Sequence, residues 1–431
     1  MQIQLWGVFL EHFKKFVNYK TIAIAVLVVI YLWCCLPATG IFEDAFYQYS
    51  SAGLAIPDGN SGFVCVFDAT IPSGYYSGTM NYILNLIGNM NFASFDIRIL
   101  GFVYFLVLLV CFILILRRVS FKYMWQNWLF SALIIFVFAD FSYLLNLNSP
   151  NAEPVFFIGV VSLITISLIQ IHNSKALISN SILFSIIALF MGGLKTGYAF
   201  VTPVLMLLPL SWFFVRKDGL FRVINILLIL IVSASSIYLF GGGVSYEQKQ
   251  IDLSSSYMDS VEPASYVDYH ELNYSIIFEN YKKAPILLIE NLKTAAHNAY
   301  EIRPRYLSNY PNEFKLKEGF TGYSSIKRRF IQPDLWFLCI FLLLVTVFSL
   351  FSLKRESVMS FKANYFSLST LCIVAFACFL APVIISGQAN IVRNLFLYNI
   401  FFDIILIYVI VGGVAIASNR RDKLKQKYGI K

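Results

Sequence analysis

The stretch "IRILGFVYFLVLLVCFILILRRVS", Ile97 to Ser120, decides the class of this chain. After Arg98 it runs without a charge to Arg117 and Arg118. About 20 continuous apolar residues are what a helix needs to cross the hydrocarbon core of a bilayer. A membrane β-strand would instead alternate over about 10 residues. The pair of arginines at its end marks a cytoplasmic edge, because basic residues concentrate on that side.

The rest of the chain repeats this pattern. Of 431 residues, 58% are hydrophobic and 13% charged, and the mean hydropathy is +0.70. A soluble domain would carry about a quarter charged residues. The expected fold class is therefore all-α and polytopic, with about ten spans. They lie near 21–37, 97–116, 127–145, 154–171, 177–192, 197–215, 221–241, 333–353, 366–386 and 394–417. The first apolar run lacks a small-residue cleavage site and reads as a span, not a signal peptide.

Alternating ten spans puts Lys14, Lys15, Lys20, Arg117, Arg118, Lys122, Lys175, Arg216, Lys217, Arg222, Lys354, Arg355, Lys362 and the basic tail on one side. The other side keeps Arg98, Lys195 and Arg393 in its short loops and span ends. Both termini are then expected in the cytoplasm. The net charge of +9 is thereby a topology signal, and no nucleic-acid partner is expected.

Three parts follow: a bundle over 1–241 with a first outer loop at 38–96, an outer cap over 242–332, and C-terminal spans with a basic tail over 333–431. In the first loop, "TMNYILNLIGNMNF" spaces Asn81, Asn85 and Asn89 at helical intervals opposite Met80, Ile83, Leu84 and Ile87. That helix suits either a membrane surface or the protein's own core. In the cap, "KKAPILLIENLKTAAHNAY" reads as a helix with Pro285 in its first turn. Leu288, Leu292, Ala295, Ala296 and Ala299 share one face of it.

Six of the seven cysteines fall in apolar runs and only Cys65 in a loop, so no disulfide framework is expected. The histidines, His12, His172, His270 and His297, are scattered and make no ligand pair. No cofactor follows from this inventory, though a divalent metal stays open as a helper. "LFGGGV" lacks the Lys-Ser/Thr of a phosphate loop.

Ionisable groups inside a bilayer cost about 2.5–3.5 kcal/mol each and are functional candidates for that reason. Four stretches qualify. "GIFEDAF" places Glu43 and Asp44 just past the first span. A carboxylate poised there can take the proton of a hydroxyl, and a solvated helix end is the plain alternative. "ADFSYLLNLNSPNAEP" holds Asp140, then Asn146, Asn148, Ser149, Asn151 and Glu153. Amides and carboxylates suit sugar hydroxyls, and a polar turn between prolines is the alternative. "GGLKTGYAF" carries Lys195, fit for a phosphate or for an ion pair with Asp140 or Glu153. "ANIVRNLFLYNIFFDI" carries Arg393 and, ten residues deeper, Asp403. Arginine binds phosphate bidentately, and Asp403 could pair with a buried donor. Base, hydroxyl-binding amides and cations thus gather at the outer face.

In this order the motifs resemble those of GT-C type integral-membrane glycosyltransferases, and specifically the WsfD-like glycan-biosynthesis hexose transferases. The matching stretches are "EDAFYQYS", "FDIRILGFVY", "NLNSPNAEPVFF", "LKTGYAFVTP", "YEIRPRYLSNY" and "VRNLFLYNIFFD", spread from position 43 to 403. The resemblance implies a polyprenyl-phosphate-linked sugar donor, a glycan or lipid-linked glycan acceptor, and an active site on the outer face of a bacterial cytoplasmic membrane. It implies Asp44 as catalytic base with Glu43 beside it. It implies phosphate contacts from Lys195, Arg393, Arg303 and Arg305, and sugar or acceptor contacts from Asn148 and Glu153. The neighbours of the basic positions depart from the family: Leu-Lys-Thr-Gly-Tyr replaces Ser-Lys-Pro-Gln, and Arg-Asn replaces a basic residue followed by His. Two other expectations compete. A polymerase of lipid-linked repeats would leave a ladder of products. A non-catalytic lipid-glycan transporter would need polar groups at the bilayer midplane and an inverted repeat.

Overall fold

The computed structural model describes residues 18–35, 54–55, 64–67, 79–89, 95–173, 177–194, 196–241, 254–261, 273–302, 321–330, 334–388 and 391–428. Within them the chain is an all-α polytopic membrane protein, as the apolar runs demand. Its main helices are α1 (Tyr19–Ile30), α2 (Thr79–Asn89), α3 (Ile97–Arg118), α4 (Met124–Phe138), α5 (Phe141–Leu144), α6 (Ala152–His172), α7 (Ile178–Gly192) and α8 (Gly219–Gly241). They continue as α9 (Tyr274–Lys283), α10 (Pro285–Asn298), α11 (Gly322–Phe330), α12 (Leu335–Arg355), α13 (Met359–Ile385), α14 (Ile391–Asn394) and α15 (Phe396–Tyr428).

Each of the ten expected spans has a helical counterpart, but they are not alike. Six helices, α3, α6, α8, α12, α13 and α15, are long and apolar enough to cross a membrane. The third expected span is a pair, Met124–Phe138 and Phe141–Asn148, bent by 54°. The bend has a local cause: Asp140 turns its carboxylate onto the Ser142 N–H at 2.9 Å and starts a new helix there. The expected span at 197–215 is broken into short turns, Thr196–Ala199, Thr202–Leu205, Leu208–Ser211 and Trp212–Val215. Pro203 and Pro209 lie in first turns, where a missing N–H costs nothing. Tyr19–Trp33 and Ile178–Gly192 are shorter apolar helices.

Helix α6 runs through the centre, with 78% of its apolar window buried, against 22% for α8 at the periphery. Helices α3, α7, α13 and α15 surround α6, and α12 pairs with α13. Gly101 of α3 admits the turn after α5 so closely that a Cβ would overlap Asn148 Oδ1.

The segments between the spans are tied to this bundle. Strands Leu54–Ala55, Val64–Phe67 and Phe95–Asp96 form a small antiparallel sheet, which no sequence pattern had signalled. It leads directly into α3, where Asp96 caps the helix and binds Arg98. Helix α2 buries Met80, Leu84 and Ile87 in the main core, so this face meets the protein itself, while Tyr82 and Leu86 stay exposed. Helix α10 starts at Pro285 and buries Ala295 and Ala296, with Ala299 buried just past its end; Leu288 and Leu292 of the expected face are half-buried. The short helix over 254–260 docks on the end of α13: Ser256 Oγ donates to the Ile384 carbonyl, and Asp259 Oδ2 accepts the Gln388 N–H. Gly387 adopts a φ of 64° there, and any Cβ would meet Asp259.

Candidate active site

The polar residues of α15 share one seam. Asp403 lies seven residues inside that helix, about 10 Å at 1.5 Å per residue. It is fully buried. Its Oδ1 accepts from Tyr323 Oη at 2.5 Å and Lys327 Nζ at 2.7 Å, and its Oδ2 accepts from Tyr143 Oη at 2.5 Å. Asn399, one turn earlier, accepts a second bond from Lys327 Nζ at 2.7 Å and donates to the carbonyls of Glu301 and Leu395. Lys327 Nζ also sits over the rings of Tyr323 and Phe402. Burial pushes the Lys327 ammonium below the usual lysine range, with Asp403 opposing, and burial pushes the Tyr323 phenol well up.

A second acid holds the same short helix. Asp140 Oδ2 accepts from the Ser324 N–H at 2.8 Å and from Ser324 Oγ at 3.0 Å. Helix α11 is thus gripped at its N-terminus by an acid, the favourable end for negative charge, and along its side by Asp403.

The other cluster lies at the start of α6. Glu153, in its first turn, accepts from Arg393 Nε at 2.9 Å, and both side chains are buried. Tyr198 lies within electrostatic reach of both and donates to the Asn394 carbonyl at 2.5 Å. Its ring meets Phe156 edge-on. Asn148, Ser149 and Asn151 are buried beside this pair in sequence, and the Asn151 N–H donates to Ser149 Oγ at 3.2 Å. A guanidinium, a carboxylate and a phenol at one dry site can hold a phosphate and hydroxyls.

Of the expected site residues, Asp140, Asn148, Glu153, Arg393 and Asp403 are described and all are buried. Glu153 and Arg393 meet; Asp140 and Asp403 meet through α11 and not directly. Glu43, Asp44, Lys195, Arg303 and Arg305 lie outside the described residues. Their described neighbours Leu194 and Ile302 are buried. Asn148 is packed onto Gly101 of α3. Asp140 is bound by Ser324 and Glu153 by Arg393, and the ion pair expected for Lys195 falls outside the described residues. Among the described residues no three His, Cys, Asp or Glu side chains group to hold a metal.

Sequence reasoning missed Lys327, Tyr323, Tyr143 and Asn399. Lys327 was hidden in "SSIKRRF", which reads as an ordinary basic run. The available signal was a pair of matched spacings: Tyr323 and Lys327 at i, i+4 on one helix, Asn399 and Asp403 at i, i+4 on another.

No curated protein and no solved structure matches the chain. A family model does, the YfdI N-terminal transmembrane domain, over residues 66–252 and 242–430. That covers both clusters and every helix from α2 onward. YfdI is a GT-C-like glycosyltransferase, and a polytopic helical bundle fits such an enzyme. The chain belongs to the YfdI N-terminal transmembrane domain family.

Proposed function

We propose that the protein is a membrane glycosyltransferase that moves a hexose from a polyprenyl-phosphate-linked donor to a glycan acceptor on the outer face of a bacterial cytoplasmic membrane. The family match carries the glycosyltransferase part of this reading. The buried Glu153–Arg393 pair among amides supports the substrate class, since a phosphate and sugar hydroxyls need those donors and acceptors. The order of the motifs that resemble WsfD-like hexose transferases supports the donor.

In this mechanism an acceptor hydroxyl attacks the anomeric carbon. Its proton passes to Asp44, with Glu43 beside it. The bond from the anomeric carbon to the lipid phosphate oxygen breaks, and the lipid phosphate leaves with the electron pair. One displacement inverts the centre. Arg393, Lys195, Arg303 and Arg305 stabilise the charge that grows on the leaving phosphate. Glu153 orients Arg393 through its Nε, and Asp140 and Asp403 position helix α11 from two different spans.

A deletion strain carrying wild-type protein or Asp44→Asn, matched for membrane abundance, tests the reading. Surface glycans and lipid-linked sugars are profiled by mass spectrometry. The expected result is loss of one sugar decoration with accumulation of lipid-phosphate monosaccharide. Unchanged decoration removes Asp44 as the base. Collapse of chain length with an intact repeat unit replaces the transferase with a polymerase.

A further inference from the structure

Asn151 occupies the N-cap of α6, the position where an asparagine normally accepts a bond from the second or third helical N–H. Here its side chain makes no capping bond. One of those two donors is missing by sequence: the third helical residue is Pro154, which has no N–H to give. The amide is fully buried, and neither Oδ1 nor Nδ2 has a hydrogen-bond partner. Two residues on, Glu153 grips Arg393. A buried amide with both ends unmatched carries a penalty that an apolar residue of the same shape would not. Such penalties persist where function needs the group.

We infer that Asn151 is a ligand-contacting residue, whose amide reads two neighbouring hydroxyls of a sugar: Nδ2 donates to one oxygen, and Oδ1 accepts the proton of the next. A vicinal diol fits because each hydroxyl both donates and accepts, whereas a phosphate offers nothing for Oδ1. Pro154 helps keep the amide available by denying it the capping donor at the third helical position. The inference rests on the glycosyltransferase reading and names a sugar contact within it.

The test uses the full chain in detergent, with thermal unfolding followed alone and with polyprenyl-phosphate glucose, galactose or mannose. Asn151→Leu keeps the size and removes both polar atoms. The expected ligand-free Tm is unchanged or raised by roughly 1–3 °C. The rise that a lipid-linked hexose gives the wild type is expected to vanish. Pro154→Ala restores the missing N–H, and it is expected to raise the ligand-free Tm and weaken the ligand response with Asn151 still in place. A ligand-free Tm that drops by several degrees in Asn151→Leu makes the amide structural and overturns the inference. A ligand-induced rise that survives Asn151→Leu overturns the role of Asn151 alone. No rise in the wild type with any of the three donors overturns the glycosyltransferase reading, and the ligand class assigned to Asn151 with it.

Discussion

The two polar clusters of this bundle are close in composition and opposite in finish. Around Asp403, the carboxylate, both ends of Asn399 and both phenols are matched. At the start of α6, an ion pair of similar depth stands two residues from an amide with no partner at either end. Both clusters pay the desolvation of buried charge. Only one of them leaves part of that cost uncompensated. A matched network fixes one arrangement of helices, whereas an unmatched group keeps binding capacity for something else. By that criterion the Asp403 cluster is framework, and the α6 cluster keeps the binding capacity that the proposed function calls for.

The sharpest way to break this contrast is to unbalance the framework. Lys327→Met leaves Asp403 buried with its charge uncompensated, and about 3–5 kcal/mol of stability should be lost. The measurement is thermal or denaturant unfolding in detergent. The double variant Lys327→Met, Asp403→Leu should regain most of that loss, because well-packed apolar residues often replace a buried pair without cost. If the double variant is as unstable as the single one, the pair is more than framework.

Glu153→Gln probes the other side. It removes a charged acceptor from Arg393 Nε, and a loss of about 1.5–3 kcal/mol is expected. Sugar transfer should fall further than stability does, as judged by glycan profiling at matched abundance. Equal losses would erase the distinction between the clusters.

Gly101→Ala sharpens the contrast from the packing side. The new methyl collides with Asn148 Oδ1, and a cost of about 1–3 kcal/mol is expected for this overpacking. A neutral result would show that the turn carrying Asn148 can shift away from α3.

The smallest effect is one of pH, at the cap. Burial raises the Asp259 carboxyl above the usual aspartate range, with the Gln388 N–H opposing. An acid raised on folding favours its protonated form. Its contribution is fully present below the ordinary aspartate value of about 3.9 and lost as pH rises through the folded value. Unfolding midpoints compared between wild type and Asp259→Asn should therefore diverge across that interval. Parallel curves would exclude a shifted Asp259.

Much of the framework was legible in the sequence. The uncharged run from Ile99 to Leu116 could be nothing but a long apolar helix, and the faces of α2 and α10 followed from helical spacing. The break in the span at 197–215 was written in Pro203 and Pro209, yet apolarity alone outvoted them. The small sheet was not legible, because strands of two to four residues carry too little alternation. For the site, Glu153, Arg393 and Asp403 stood out as charges in apolar surroundings. Their partners did not: Lys327 binds across 76 positions and Tyr143 across 260, distances at which no local pattern connects them.

Those same separations set an order in time. Asp140, Tyr143, Tyr323 and Lys327 are all synthesised before Asp403, which enters with α15. Until that helix arrives, Lys327 lacks the carboxylate that it binds directly, and α11 is without its second grip. The grip on α11 is therefore completed only when α15 packs. A chain stopped before residue 403 should be unable to seat α11, which makes it recognisable to membrane quality control as unfinished.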